Sequence, residues 1–247
     1  MQFFKKIFFS LALCLAFFRE TYAQEFDGLL ISDYFDYNNE LLWGINKNTN
    51  GGLIGGVILK MGTKIKDNFY KIYGIEIVNI KHPKEFKYTS PFGGDSFIWA
   101  KQNSLYALRL QYGVEWSLFN KNDQNGIQIN VHLGGGPTLG SLVPYHIKYN
   151  RNNKMVIEAF DPNIHNFNNV IGSAGVFEGV EDAVYRPGIH LKTALNFEVG
   201  TSKKSAVGIE IGFLGEAFSK KMIIMPTLNN KSFFTSAFIS LFYGKKW

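Results

Sequence analysis

The sequence predicts an all-β protein: a single antiparallel, up-and-down transmembrane β-barrel of about eight strands, preceded by a cleaved signal peptide. Segment 105–118 alternates between two kinds of side chain over its whole length. After the first segment, no apolar run reaches the roughly 18 residues that indicate a spanning helix. The links after the second, fourth and sixth predicted strands are short and those after the third and fifth are long, as an outer-membrane barrel requires.

Segment 105–118, LYALRLQYGVEWSL, places an apolar side chain at every second position. A period of two is that of a β-strand. Tyr106 and Trp116 bracket the apolar face, and ten residues at roughly 3.3 Å each, tilted by about 40°, span roughly 25 Å of membrane. The opposite face carries Arg109 and Glu115 among small residues, which suits the interior of a narrow barrel.

The amino-terminal segment predicts a secretory signal. Lys5 and Lys6 precede the apolar run 7–18, and Thr-Tyr-Ala at 21–23 is an acceptable cleavage site, so we exclude 1–23 from the fold. The run of about 12 apolar residues is too short for a spanning helix. The only cysteine, Cys14, lies inside it, so the predicted mature chain has no disulfide or thiolate metal site.

The net charge does not favour a nucleic-acid partner. The chain has 26 basic and 20 acidic residues, and removing the three bases and one acid of 1–23 leaves 23 and 19, a net charge of +4. Such a modest excess, without an aromatic and basic single-strand motif, predicts no binding of nucleic acid.

Residues 24–38 are predicted to be a periplasmic lead-in, and 39–247 the barrel. The fifth strand is assigned to 126–136, and Pro137 is expected to interrupt its ladder, because proline cannot donate a backbone hydrogen bond. Two long outer loops, 81–102 and 145–187, follow the third and fifth strands, and the second loop begins with a hairpin that turns at Asn152-Asn153. The predicted strands are 40–47, 53–61, 69–80, 105–118, 126–136, 188–200, 206–218 and 233–243.

The polar side chains of the inward faces predict a network that fills the lumen, with opposite charges neutralising one another. Its predicted members are Glu76, Arg109, Glu115, His132, His190, Lys192, Glu198 and Glu210. An acid–base or metal role for the two histidines is the alternative. The outward aromatic residues predict a lipid-facing belt of Tyr106, Trp116, Phe197 and Phe213, and Phe234 and Phe242 are assigned to lipid contact with them.

A catalytic group is not indicated. A rim enzyme would need a nucleophile beside a histidine, and the loops offer Ser141 near His146 and Asp161 near His165. Neither spacing is diagnostic by itself, so we predict no catalytic residue, no metal and no cofactor.

The strand GIEIVNI, the loop beginning KHPKE, the segment FIWAKQNSLYALRLQYG and the aromatic carboxyl end together resemble the small outer-membrane β-barrel proteins of Bacteroidetes-type bacteria. The resemblance implies a barrel without an assigned activity, so it transfers no catalytic or binding residue.

The leading hypothesis is a non-enzymatic protein of the cell outer membrane, surrounded by outer-membrane lipid, whose outer loops bind a protein partner, a surface glycan or a secretion component. The first alternative is an enzyme that modifies lipid or envelope, with its site near His146 or His165. The second is a soluble lipocalin-like carrier, which requires an apolar interior.

Overall fold

A computed structural model of the chain describes residues 38–52, 55–93, 95–120, 127–175, 178–199 and 205–247. The predicted signal peptide lies outside these residues, as does the predicted lead-in except for Asn38. Among the described residues, no α-helix is both long and apolar enough to cross a membrane.

The described residues form thirteen strands and two short 3-10 helices, at Phe167–Asn169 and Val180–Asp182. The strands in chain order are β1 (Asn39–Asn48), β2 (Gly56–Lys66), β3 (Phe69–Ile80), β4 (Lys87–Thr89), β5 (Ser96–Ile98), β6 (Asn103–Phe119), β7 (Ile127–Pro144), β8 (His146–Arg151), β9 (Lys154–Ala159), β10 (Val170–Ser173), β11 (Val184–Val199), β12 (Ser205–Phe218) and β13 (Phe233–Lys246).

Eight of these strands form one closed barrel in the order β1-β13-β12-β11-β7-β6-β3-β2, and every neighbouring pair is antiparallel. The ring closes between β1 and β13, where Glu40 is opposite Lys246 and Asn48 is opposite Phe238. The predicted fold class is therefore confirmed. Closure leaves the barrel without a free strand edge, so its backbone donors and acceptors are paired within the ring.

The side chains of each barrel strand alternate between the two faces of the wall. On β6, Leu110 and Tyr112 are about half exposed on the outer surface, whereas Arg109 and Glu115 are buried inside. The outer surface is thus apolar and the middle of the interior is charged. This distribution is the reverse of the apolar interior that the lipocalin-like alternative requires.

β7 is longer than predicted. It continues through Pro137 to Pro144, and Pro137 lies opposite Ile189 of β11. The prediction that the strand ends before Pro137 is therefore wrong. The expected interruption is present in the ladder with β6, which has no pair at Leu110 and Gln111. The register with β6 is the same on both sides of this gap, and the ladder with β11 is continuous through Pro137, so the strand continues.

The predicted hairpin at the start of the second long loop is confirmed: β8 and β9 are antiparallel around Asn152 and Asn153. Both residues have positive φ, 52° and 60°, which two-residue hairpin turns require and asparagine tolerates. The remainder of this loop was expected to be irregular as far as 187. It instead contains β10, which pairs with β8, and it ends where β11 begins at Val184.

Candidate functional site

All eight predicted lumen residues are buried on the inward side of their strands. The structure adds four buried charged residues to this network, Glu40, Lys60, Glu216 and Lys246. The network divides into three clusters, and the first two join strands that are distant around the ring.

The first cluster is centred on Glu210 of β12, whose side chain has no solvent exposure. One carboxylate oxygen accepts a hydrogen bond from Lys60 of β2, and the other lies 2.7 Å from Lys192 Nζ of β11. The ammonium group of Lys192 also lies 4.4 Å from the centre of the Phe238 ring. Glu210 therefore neutralises two buried cations at once.

The second cluster is centred on Arg109 of β6. Its Nε and Nη2 donate to the two carboxylate oxygens of Glu216 at 2.6 and 3.2 Å, and its Nη1 lies 3.4 Å from Glu76. Glu76 also accepts a hydrogen bond of 2.7 Å from the Asn46 amide. Forked contacts of this kind fix the geometry of the guanidinium group as well as its charge.

The third cluster lies at the end of the barrel where the short turns are. Glu115 accepts hydrogen bonds of 2.6 Å from both Asn130 and Asn196, and its Oε2 lies 3.7 Å from His132 Nδ1. In the same part of the lumen, Lys246 donates to Glu198 at 2.7 Å.

The two inward histidines are held by polar side chains of the wall. The second nitrogen of His132 is hydrogen-bonded to Gln111, and His190 Nδ1 lies 2.9 Å from Thr138 Oγ1. Among the described residues, no group of three or more His, Cys, Asp or Glu side chains could hold a metal ion. The contacts of both histidines are those of polar groups that fill a narrow lumen.

The four residues predicted as a lipid-facing belt all point away from the lumen. Trp116 and Phe213 are exposed, whereas Tyr106 and Phe197 are half-buried. The expectation for the other two aromatic residues is wrong. Phe242 packs inside the barrel against Leu42 and Ala206, and Phe234 packs against the core at the opposite end.

The other end of the lumen is occupied by a segment that the strand pattern does not predict. Met222, Ile224 and Met225, in the link between β12 and β13, are buried against inward-facing side chains of the wall. These wall residues are Val78, Ile80, Leu105, Ala107, Leu142 and Phe218. The lumen is therefore charged in the middle and apolar at this end. We call the segment 222–225 the plug.

The amide of Asn230 holds the plug in shape. Its oxygen accepts from the backbone N–H of Ile224 and of Met225, and its NH₂ donates to the carbonyls of Met225 and Leu228. The Ile224 carbonyl in turn accepts from the backbone of Gln102, at the base of the first long loop. The signal for this segment was present in the sequence as an apolar run, MIIM, directly after two lysines.

The two long loops pack together into one small unit, the described residues of 81–102 and 145–183, which we call the loop subdomain. Its core consists of Phe97, Ile147, Tyr149, Phe160 and Val170, all buried. Trp99 and Phe167 pack on this core with edge-to-face ring contacts. Hydrogen bonds also join the loops, from Ser90 Oγ to the Val170 carbonyl and from the Ile98 N–H to the Tyr145 hydroxyl. The loops therefore form a folded surface.

His165 belongs to this core. Its ring stacks on Phe160, and its Nε2 lies 3.0 Å from Glu158, which also pairs with Arg151. Its Nδ1 lies against the backbone of Asp161, whereas the Asp161 carboxylate accepts from Asn163. The geometry thus gives His165 a structural role, and the Asp161 carboxylate does not pair with His165 as a rim enzyme would need.

His146 also contacts backbone, with Nδ1 lying 3.2 Å from the Pro144 carbonyl. Ser141 lies on β7 opposite Tyr106 and Tyr185, and its contacts with the neighbouring strands do not include His146. A nucleophile activated by either histidine is therefore not formed by these residues.

A buried ion pair joins the two ends of the first long loop. Lys101 Nζ lies 2.9 Å from Glu85, and both side chains are almost completely buried. Burial lowers the pKa of the Lys101 ammonium group below its ordinary value, although the Glu85 carboxylate acts in the opposite direction. Lys101 therefore depends on Glu85 to remain charged at this position.

We expect Lys101→Met to lower the free energy of unfolding of the loop subdomain by about 3–5 kcal/mol, because it leaves the Glu85 carboxylate buried without its cation. The measurement is the rate of limited proteolysis within 81–102. The double variant with Glu85→Gln should recover most of the loss, since the buried charge is gone. Equal proteolysis rates for the single variant and the unaltered chain would contradict this account.

One edge of the loop subdomain is open. Its three-stranded sheet has the order β10-β8-β9. The β10 edge lies beside the first loop, where Ser90 bonds to Val170, whereas no described strand pairs with the outer edge of β9. Met155 and Ile157 of β9 are 63% and 49% exposed. An exposed apolar edge strand is a ready template for an added strand.

No protein-family model matches this chain, and no curated protein matches it significantly. Among solved structures, the chain is similar to the crystal structure of Neisserial surface protein A, with 8% sequence identity and a TM-score of 0.39. The aligned region covers 85% of this chain and 94% of that one. A likeness at this level carries no argument about function, and the fold is established by the chain's own strand order.

Proposed function

We propose that this protein resides in the cell outer membrane and acts without catalysis, as a receptor whose loop subdomain binds a protein partner by adding a strand to β9. The membrane location is supported by the closed barrel, whose outer surface is apolar over all eight strands. The relation to the barrels of Bacteroidetes-type bacteria remains a prediction from sequence.

The observation that carries the binding proposal is the open edge of β9. Natural sheets usually protect such edges with charges, proline or a covering element. The charges of β9 are Lys154 and Glu158, and Glu158 is engaged by Arg151 and His165. Met155 and Ile157 are exposed on this edge strand of a subdomain that already has its own core. An extended segment of a partner would gain backbone hydrogen bonds along β9 and apolar contact with these two side chains.

A test of location comes first. In fractionated cells the chain should sediment with the outer membrane, and unheated samples should migrate differently from boiled ones on a denaturing gel, as folded barrels do. Recovery in the soluble fraction would reject the membrane location. It would leave the binding proposal to be tested separately.

The binding test places a photo-crosslinking amino acid at Ile157 in intact cells, with the same amino acid at Ile164 as the control. Ile164 is 63% exposed in the same subdomain but lies outside β9. We expect a discrete protein adduct from 157 and at least tenfold less from 164. Adding Met155→Lys should suppress the adduct, because a charge on the edge opposes strand addition. Equal adducts at the two positions would reject β9 as the binding edge, and an adduct lost on glycosidase treatment would indicate a glycan instead.

A further inference from the structure

A cleft of about 640 Å³ opens beside the plug, between the first long loop and the link from β12 to β13. Four lysines line it, Lys81, Lys84, Lys221 and Lys231, and His82 lies among them. Within the described residues, no Asp or Glu lines this cleft and none of the four lysines takes part in an ion pair. The cleft therefore concentrates uncompensated positive charge, which favours an anionic ligand.

The floor of the cleft is apolar. Leu228 contributes to it from the link after the plug, and Phe233 and Phe234 contribute from the start of β13, above the fully buried Met222 and Ile224. A free inorganic anion gains nothing from such a floor, whereas a ligand that is anionic at one end and apolar at the other gains from both.

A groove of about 810 Å³ lies next to the cleft, and most of its lining comes from the outer surface of β11, β12 and β13. Its centre is Gly215, which is opposite Leu191 on one side and Thr235 on the other. Ile189 and Phe213 project at its margins and are among the most exposed apolar side chains of the wall. Gly215 has no side chain and its neighbours are large, so the wall has a depression here. This depression is on the surface that would face the acyl chains of the membrane.

The cleft and the groove are adjacent. Phe233 and Thr235 line both, and the turn after β1 supplies Thr49 to the groove and Asn50 to the cleft. Asn50 is fixed by a 2.8 Å hydrogen bond to the Thr235 carbonyl, so the boundary between the two is held in place. The positively charged cleft, which lies beyond the end of the barrel wall, is thus directly adjacent to the apolar groove on that wall.

We infer that the cleft and the groove form one binding site for a membrane lipid with a phosphate-bearing anionic head group. The lysines hold the phosphate, and one acyl chain lies in the groove over Gly215. Both volumes fall within the usual range for ligand sites, about 300–1,000 Å³. This inference rests on the proposed membrane location but is independent of binding at β9.

The test is native mass spectrometry of the full chain, purified in a non-ionic detergent and titrated with phosphatidic acid, with phosphatidylcholine or with inorganic phosphate. We expect phosphatidic acid to form a one-to-one adduct at a concentration at least tenfold lower than phosphatidylcholine. Inorganic phosphate should compete only weakly, because it cannot occupy the groove.

Two variants separate the two halves of the site. Lys81→Gln combined with Lys84→Gln, Lys221→Gln and Lys231→Gln should reduce phosphatidic acid binding at least tenfold and abolish the preference over phosphatidylcholine. Gly215→Leu should fill the groove and reduce the binding of either lipid severalfold. The fold should tolerate it, since a Cβ at 215 meets only two Phe233 ring carbons, at 3.7 and 3.8 Å. Heat-modifiable mobility verifies the fold of each variant.

Matched controls lie outside the site. Lys87→Gln with Lys154→Gln removes two exposed lysines of the loop subdomain, and Val207→Leu enlarges an outward side chain at the other end of β12. Both should bind as the unaltered chain does. The inference is overturned if the two lipids bind equally, if inorganic phosphate competes as well as the lipid, or if the controls lose as much binding as the site variants. These results do not depend on fractionation or crosslinking, so this inference and the proposed function can fail separately.

Discussion

Glu210→Leu should prevent the barrel from reaching its folded form, or lower its denaturation midpoint more than any other single substitution considered above. The side chain is completely buried between Lys60 and Lys192. Leucine would leave two buried ammonium groups without a counter-charge. Breaking a buried ion pair costs about 3–5 kcal/mol, and a typical domain has a free energy of unfolding of only about 5–15 kcal/mol.

The measurement is the urea midpoint of the heat-modifiable gel shift for protein refolded in detergent. The decisive control is the triple variant Lys60→Met, Lys192→Met and Glu210→Leu, which removes both cations along with the carboxylate. Apolar replacement of a whole buried ion cluster is often tolerated, so the triple variant should recover most of the midpoint. If Glu210→Leu alone has the midpoint of the unaltered chain, Glu210 does not have the central place in the network that we assign to it.

Ile224→Asp should expel the plug and open one end of the lumen to water while the barrel remains closed. Ile224 is 1% exposed and packs among apolar side chains, where a carboxylate without a partner costs several kcal/mol. A cysteine introduced at Leu142, an inward-facing wall residue beneath the plug, reports the opening. We expect a water-soluble maleimide to label it about 100-fold faster in the Asp variant, which corresponds to about 2.7 kcal/mol.

Ile223→Asp is the matched control. Ile223 is the neighbouring residue of the same apolar run, but it is 44% exposed, so the charge stays in water. Labelling at 142 should then remain slow. Fast labelling in both variants, or in neither, would show that the plug does not close this end of the barrel.

The barrel strands could be predicted from sequence because successive side chains of a wall strand point alternately into the lumen and outward, which gives the sequence a period of two. The alternation of 105–118 places Arg109 and Glu115 inside and Tyr112 outside from the pattern alone. The short polar turns fix where most strands end. Pro137 was misleading, because a missing donor in one strand of a long ladder costs less than ending the strand would.

The plug and the loop subdomain could not be predicted in the same way, because their contacts join segments far apart in the chain and follow no period. The pairing of β10 with β8 and the packing of Phe97 against Ile147 depend on how two loops fold against each other. Phe242 was misassigned for a related reason. An aromatic residue on a strand suggests lipid contact. The lumen has a small apolar cluster near the short turns, however, and Phe242 packs there against Leu42 and Ala206.

Closure of the ring has a consequence for biogenesis. The first barrel strand pairs with β2 along one edge, but its other edge pairs only with the last strand, where Glu40 lies opposite Lys246 and Trp247 exchanges backbone hydrogen bonds with Asn39. Such non-local pairing is slow to form, and until it forms both end strands present unsatisfied backbone. Closure of the ring must therefore await synthesis of β13, and until then the nascent chain needs shielding from self-association.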